Sequence, residues 1–326
     1  MQRYGHLAPN HCASKNIMKK LALFLLTAVL GLSLQAQETY RFAQRDTCDL
    51  YLDIFRASEG SETTFQGKEK PTVMFVFGGG FVAGARANTF SKTWFSHLNE
   101  EGYNLVTIDY RLGMKGFKIK TNLSGAIKAS DRFLLAQQVG VEDVFSAISF
   151  LAENPDLGID VNNLVIAGSS AGAIISLASE YNIVNGNTEG LPAGFNFKGV
   201  MSFAGGIIST SGAPKFSAAP CPILMLHGTA DQAVAYKHLG AFGRGIWGSS
   251  WLAAKFAKKG WEHCIYRFKD RTHDVAAYMN YIWPIEKEFL EQNVILGNHR
   301  SIDATVDDPS LPSWSWSSVS LNGIYK

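Results

Sequence analysis

The stretch Leu164-Val165-Ile166-Ala167-Gly168-Ser169-Ser170-Ala171-Gly172 constrains the fold more than any other part of the chain. Four apolar residues in a row read as a strand buried on both faces, and the helical pattern that follows begins without a loop. A strand and a helix that meet so abruptly can approach only where the side chains between them are small, and Gly168 to Gly172 are all Gly, Ser or Ala. Such a junction belongs to a parallel sheet with crossover helices.

The rest of the chain repeats the alternation. Apolar runs at Leu50–Phe55, Thr72–Phe77, Leu105–Asp109, Leu164–Ala167, Gly199–Phe203, Ile223–Leu226 and Cys264–Phe268 predict strands. Helical spacing covers Val141–Glu153, Ala171–Glu180 and Ala277–Glu291. The expected fold is therefore α/β, with a mostly parallel central sheet and helices on both faces. Two stretches break the alternation, Gly113–Gln138 and Lys237–Gly260, and read as pocket walls or as solvated excursions. From Asn298 onward the chain lacks periodicity and reads as an irregular tail over 298–326.

Lys19-Lys20, the apolar run Leu21–Leu34 and Gln35-Ala36-Gln37 have the charge, length and small-residue end of an export signal. The apolar run is shorter than the roughly 20 residues a membrane span needs. The expectation is a leader over 1–36, a catalytic domain over 37–297, secretion or periplasmic export, and no stable membrane span once the leader is cleaved. Four of the 30 basic residues, Arg3, Lys15, Lys19 and Lys20, lie in that leader against 28 acidic ones elsewhere, so the body is close to neutral. With no concentrated basic stripe, nucleic acid is not an expected partner. After cleavage Cys48, Cys221 and Cys264 remain, and Cys221 and Cys264 read as free thiols more readily than as a bridge. No His or Cys spacing suggests a metal, and no cofactor is implied.

Ser170 stands at the centre of a GxSxG turn, where its hydroxyl projects above the sheet beside a helix N-terminus. A serine hydroxyl becomes nucleophilic only when a base takes its proton, so a histidine oriented by a carboxylate is expected. The run Cys221–Leu226 followed by His227-Gly228-Thr229-Ala230-Asp231 delivers Asp231 at the carboxyl edge of the sheet, and Asp270-Arg271-Thr272-His273 follows the next strand. Asp274 and His263 are poorer candidates, the first because its side chain diverges from that of His273, the second because it starts a strand at the wrong edge. His227 reads as a structural residue. Val76-Phe77-Gly78-Gly79-Gly80-Phe81 leaves a strand with three glycines that expose backbone N–H groups; no Lys follows at the spacing of a phosphate loop.

Phe77–Phe81, Asp109-Tyr110-Arg111-Leu112, Gly168–Gly172 and His227–Asp231, in that order, resemble the successive motifs of α/β-hydrolase-fold carboxylesterases, in particular the hormone-sensitive-lipase-like and feruloyl/acetylxylan-esterase-like branches. The resemblance covers about residues 49–291. It implies that the N–H groups of Gly79, Gly80 and Ala171 form an oxyanion hole, and that the substrate is a small-molecule or polysaccharide-linked ester of acetyl or feruloyl type. Phe77 departs from the pattern, which usually has His there. A serine exopeptidase and a non-catalytic binding module of the same fold are the alternatives; Glu100-Glu101 is the sequence's nearest approach to an exopeptidase's amine anchor.

Overall fold

The computed structural model describes residues 37–314; the expected leader and its cleavage point lie outside them, as does 315–326. Nine strands form the central sheet: β1 (Glu38–Gln44), β2 (Asp49–Phe55), β3 (Thr72–Val76), β4 (Leu105–Ile108), β5 (Leu164–Ser169), β6 (Gly199–Phe203), β7 (Ile223–Gly228), β8 (Cys264–Phe268) and β9 (Ile302–Val306). Their spatial order is β1-β2-β4-β3-β5-β6-β7-β8-β9. Only β2 runs against its neighbours; the remaining pairs are parallel. Every residue of β3 to β7 is buried, as strands covered on both faces must be. The seven expected strands are all present, with ends differing by one or two residues.

The helices are α1 (Thr89–Glu100), α2 (Leu123–Glu153), α3 (Ala171–Val184), α4 (Ser249–Lys259) and α5 (Trp283–Phe289), the last continuing as a π-helical turn over Leu290–Ile295. Asn88 and Asn122 cap α1 and α2 by accepting the N–H groups of Ser91 and Gly125. α2 is long and apolar enough to span a membrane by length and composition, but Ala136, Val144, Ile148 and Leu151 are buried in the core of the protein.

Several expectations are corrected. The stretch Gly113–Gln138 is mainly the first half of α2, where Gly125, Ala129 and Gln137 are buried while Leu123, Ile127 and Leu135 are exposed, an inversion that hides the helical period. The last helix does not begin at Ala277: Pro284 lies in the first turn of α5, and the chain before it forms a short 3₁₀ turn over His273–Ala277 and then a loop. Proline favours the start of a helix and disfavours helical geometry in the residue before it. The tail is not irregular throughout, since β9 adds a parallel strand beside β8. Its alternating half-buried and exposed pattern is that of a sheet edge.

The second excursion, Lys237–Gly260, is a β-hairpin followed by α4. Strands His238–Ala241 and Arg244–Gly248 pair antiparallel, and the second also pairs with Gly206–Ser209, which follows β6. Gln137 of α2 completes this small sheet: its side-chain amide donates to Ile208 O at 3.1 Å and accepts from Ile208 N at 2.8 Å, satisfying both backbone groups of a buried residue.

Candidate active site

β5 runs without a break into Ser170, which has φ 52° and ψ −115°, and α3 starts at Ala171. A left-handed φ is uncommon for a residue with a side chain, and here the crossing of strand and helix enforces it. A Cβ on Gly168 would lie 2.3 Å from Gly172 O, and one on Gly172 would lie 1.9 Å from Val76 O. The small residues are thus required by contact. Ser169, the neighbouring hydroxyl, is buried and donates to Ala276 O at 2.6 Å.

Asp231 and His273 come from the turns after β7 and β8, which are stitched together. Thr229 N donates to Phe268 O and Ala230 N to Arg271 O, while Asp270 N donates to Thr229 Oγ1. Gly228 makes this approach possible, because a Cβ there would meet Thr272 O at 2.2 Å. The result is a continuous chain of hydrogen bonds: Ser170 Oγ to His273 Nε2 is 2.8 Å and His273 Nδ1 to Asp231 Oδ2 is 2.7 Å.

Asp231 is held from several sides. Its Oδ1 accepts the N–H groups of Ala233 and Val234 at 2.8 and 3.0 Å, and its Oδ2 lies 3.2 Å from His227 Nε2. Burial alone would raise its pKa, but hydrogen bonds from His227 and His273 more than offset that and hold it well below the usual carboxylate range. His227 is fully buried, with Nδ1 2.8 Å from Ser249 Oγ, and it serves as a support for Asp231. Asp274 accepts the Trp314 N–H instead, and His263 Nδ1 faces Trp261 O.

The glycine loop after β3 turns beside this chain. Gly79 and Gly80 have φ 125° and 62°, and a Cβ on Gly78 would come within 3.3 Å of Ser170 Cβ. Phe77 stacks on Tyr110 with ring centroids 4.5 Å apart, and the Tyr110 hydroxyl donates to Phe77 O. Stacking therefore supports the loop where a histidine would otherwise stand. Arg86 braces its far side by pairing with Asp53 and Asp109.

Ser170, His273, Gly79, Gly80 and Ala171 all border one cavity of about 830 Å³. Its walls include Phe133 of α2 and Leu239 and Ile246 of the hairpin, which lie in the two stretches that the sequence left open between pocket wall and solvated excursion; Ile208 is a wall residue that sequence reasoning did not single out. Among the described residues no Asp, Glu, Lys or Arg lines it, and Glu100 and Glu101 lie elsewhere, Glu101 paired with Lys287 at 2.8 Å. Among the described residues no group of three or more His, Cys, Asp or Glu is placed to hold a metal ion. Cys48, Cys221 and Cys264 are unbridged.

The BD-FAE family model matches residues 52–203, from β2 through β6. "Secreted lipase 1" of Botryotinia fuckeliana (strain B05.10) is 27% identical over 199 residues, which is 60% of this chain and 31% of the relative. "Fumonisin B1 esterase" of Sphingopyxis macrogoltabida is 33% identical over 104 residues, 32% of this chain and 18% of the relative. The chain thus matches less than a third of the length of either relative. Among solved structures, a native thermophilic esterase of the planctomycete Thermogutta terrifontis superposes with a TM-score of 0.54 at 17% identity, covering 81% of this chain and 95% of its own. Its propionate-bound form gives 0.56 at 17% identity, covering 81% and 97%. The fold is the α/β-hydrolase fold, and the chain resembles the carboxylesterases built on it.

Proposed function

We propose that this α/β-hydrolase-fold chain is a carboxylic ester hydrolase acting through an acyl-enzyme on Ser170. The observation that carries this reading is the unbroken hydrogen-bonded chain from Ser170 Oγ through His273 to Asp231. His273 Nε2 takes the hydroxyl proton as Ser170 attacks the ester carbonyl. The N–H groups of Gly79, Gly80 and Ala171 receive the oxyanion, each such donor contributing about 3 kcal/mol to the transition state. His273 then protonates the leaving alcohol, and water repeats the sequence on the acyl-enzyme. Asp231, ionised over a wide pH range, fixes the imidazole tautomer with its N–H on Nδ1.

The substrates of first choice are short-chain esters and acetyl or feruloyl esters borne on carbohydrate. The names of the curated relatives, a lipase and an esterase, favour ester chemistry, and the uncharged cavity wall favours a neutral substrate over one anchored by a free amine. The "secreted" relative and the charge and length of Lys19–Ala36 favour export.

Steady-state hydrolysis tests the reading. Short-chain aryl esters and acetylated or feruloylated sugars should turn over well before aminoacyl amides, and His273→Ala should lower kcat by several orders of magnitude. A His273→Ala variant with normal turnover, or a preference for amides, would overturn it.

A further inference from the structure

Among the described residues six large apolar side chains are exposed, and five of them, Leu123, Ile127, Leu135, Leu239 and Phe242, lie on the first half of α2 and on the hairpin. The two elements form one surface, because Arg244 at the hairpin tip pairs with Asp131 of α2 and its guanidinium lies 3.3 Å from Ser130 Oγ. Phe242, at the very tip, is 94% exposed with φ 52°; Leu123 is 72% exposed and Ile127, one turn on, 42%. An apolar ring held almost wholly in water at a hairpin tip contributes nothing to the core, so its surroundings decide what it meets.

Apart from Asp131, which Arg244 pairs, those surroundings carry one sign of charge. From Leu112 to Ser130 the chain has Lys115, Lys118, Lys120 and Lys128 and no acidic residue. All four lysines are exposed, and none makes an ion pair among the described residues. In a protein whose body is near neutral, this concentrates positive charge beside the exposed apolar residues. The same elements wall the cavity above Ser170, through Ser130 and Phe133 on one side and Leu239, Gly245 and Ile246 on the other.

We propose that the first half of α2 and the hairpin dock on an anionic lipid surface, with Phe242, Leu123 and Ile127 entering the headgroup boundary and the four lysines facing acidic headgroups. Charge complementarity selects the surface: each lysine close to an anionic leaflet is worth roughly a fivefold gain in partition. The apolar side chains supply a second, salt-insensitive contribution. A neutral surface would leave the lysines without partners, and a soluble polyanion would leave Phe242 in water. Docking in this orientation turns the mouth of the cavity to the lipid. That use, delivery of an ester to Ser170, rests on the reading proposed above; the docking itself does not.

Sedimentation of the full chain with vesicles tests this. Binding to phosphatidylcholine vesicles containing phosphatidylglycerol should exceed binding to pure phosphatidylcholine at least tenfold and should fall in 0.5 M salt, where charges are screened beyond about 4 Å. Phe242→Ser and the triple variant Lys118→Gln, Lys120→Gln, Lys128→Gln should each weaken it at least fivefold. Hydrolysis of soluble aryl acetate, monitored alongside, reports whether each variant is folded and whether the esterase reading holds, independently of vesicle binding. Equal binding to both vesicle types, or no binding, would overturn the proposal. Variants that bind as wild type does would assign attachment to another segment such as Leu21–Leu34. A dimer in solution that Phe242→Ser dissociates would assign the face to a second copy.

Discussion

At the residue scale, the site depends on positions where only one kind of side chain fits. Gly172 and Gly228 are examples with opposite visibility. The spacing of small residues around Ser170 made the need for Gly172 legible, because strand, turn and helix are contiguous in the chain. Gly228 is glycine because Arg271 and Thr272, more than forty positions away, lie against it, and no local pattern carries that fact. Glu286 is a second case of non-local burial. It sits fully buried in the first turns of α5, with one oxygen accepting the Trp94 indole N–H at 2.7 Å and the other without a hydrogen-bond partner among the described residues. Burial pushes its pKa well above the usual carboxylate range, and the Trp94 hydrogen bond only partly opposes this. An unfolded glutamate ionises at about pH 4.3. Below that pH both states hold the proton and the contribution to stability is complete; as pH rises toward the folded pKa only the unfolded chain sheds it, and stability is lost. Glu286→Gln removes the titration. Thermal melts should therefore show the gap in Tm between variant and wild type shifting in the variant's favour from pH 4 to pH 8. The same gap at both values would show that Glu286 does not carry this proton.

At the scale of elements, what was legible followed burial. β3 to β7 are mostly apolar and were readable as strands; β1, β9 and the hairpin strands are polar, alternating or glycine-rich, and became strands only because a neighbour offered its edge. β9 matters beyond the sheet, because the segment after it returns along the loop that carries His273. Arg271 donates to Asp308 O at 2.8 Å, the Tyr278 hydroxyl to Pro312 O at 2.7 Å and Trp314 N to Asp274 Oδ1 at 3.2 Å. The Trp314 ring lies 5.9 Å from that of Tyr278 and 6.0 Å from that of Tyr281. This strap braces the loop from outside, while Ser169 pins it from within through Ala276 O. Under the proposed mechanism Asp274 acts by positioning His273. Asp274→Ala should lower kcat about tenfold with little change in KM, as expected when alignment and not substrate affinity is lost. Asp274→Asn, which keeps an acceptor at Oδ1, should restore most of the rate. Turnover of a folded Asp274→Ala protein within twofold of wild type would show that the strap is structural only.

At the scale of the whole molecule, the sheet order brings the ends of β3, β5, β7 and β8 to one edge, and each end supplies one part of the site: the glycine loop, Ser170, Asp231 and His273. The order of these parts along the chain was legible because each follows an apolar run into a turn. The cavity walls were legible only as one of two readings of 113–138 and 237–260, since α2 meets the strand Gly206–Ser209 through Gln137 and the hairpin through Asp131 and Arg244, contacts between residues more than 70 positions apart. The account as a whole stands on Ser170 being an activated nucleophile in a preformed site. A fluorophosphonate probe, followed by peptide mapping, measures this most directly. Labelling should be stoichiometric, confined to Ser170 and absent at Ser169, and Ser170→Ala should abolish it while leaving Tm within a few degrees, since one hydroxyl is lost and the Cβ and backbone at the turn are unchanged. A folded wild-type protein that takes no label, or takes it on another residue, would contradict the account.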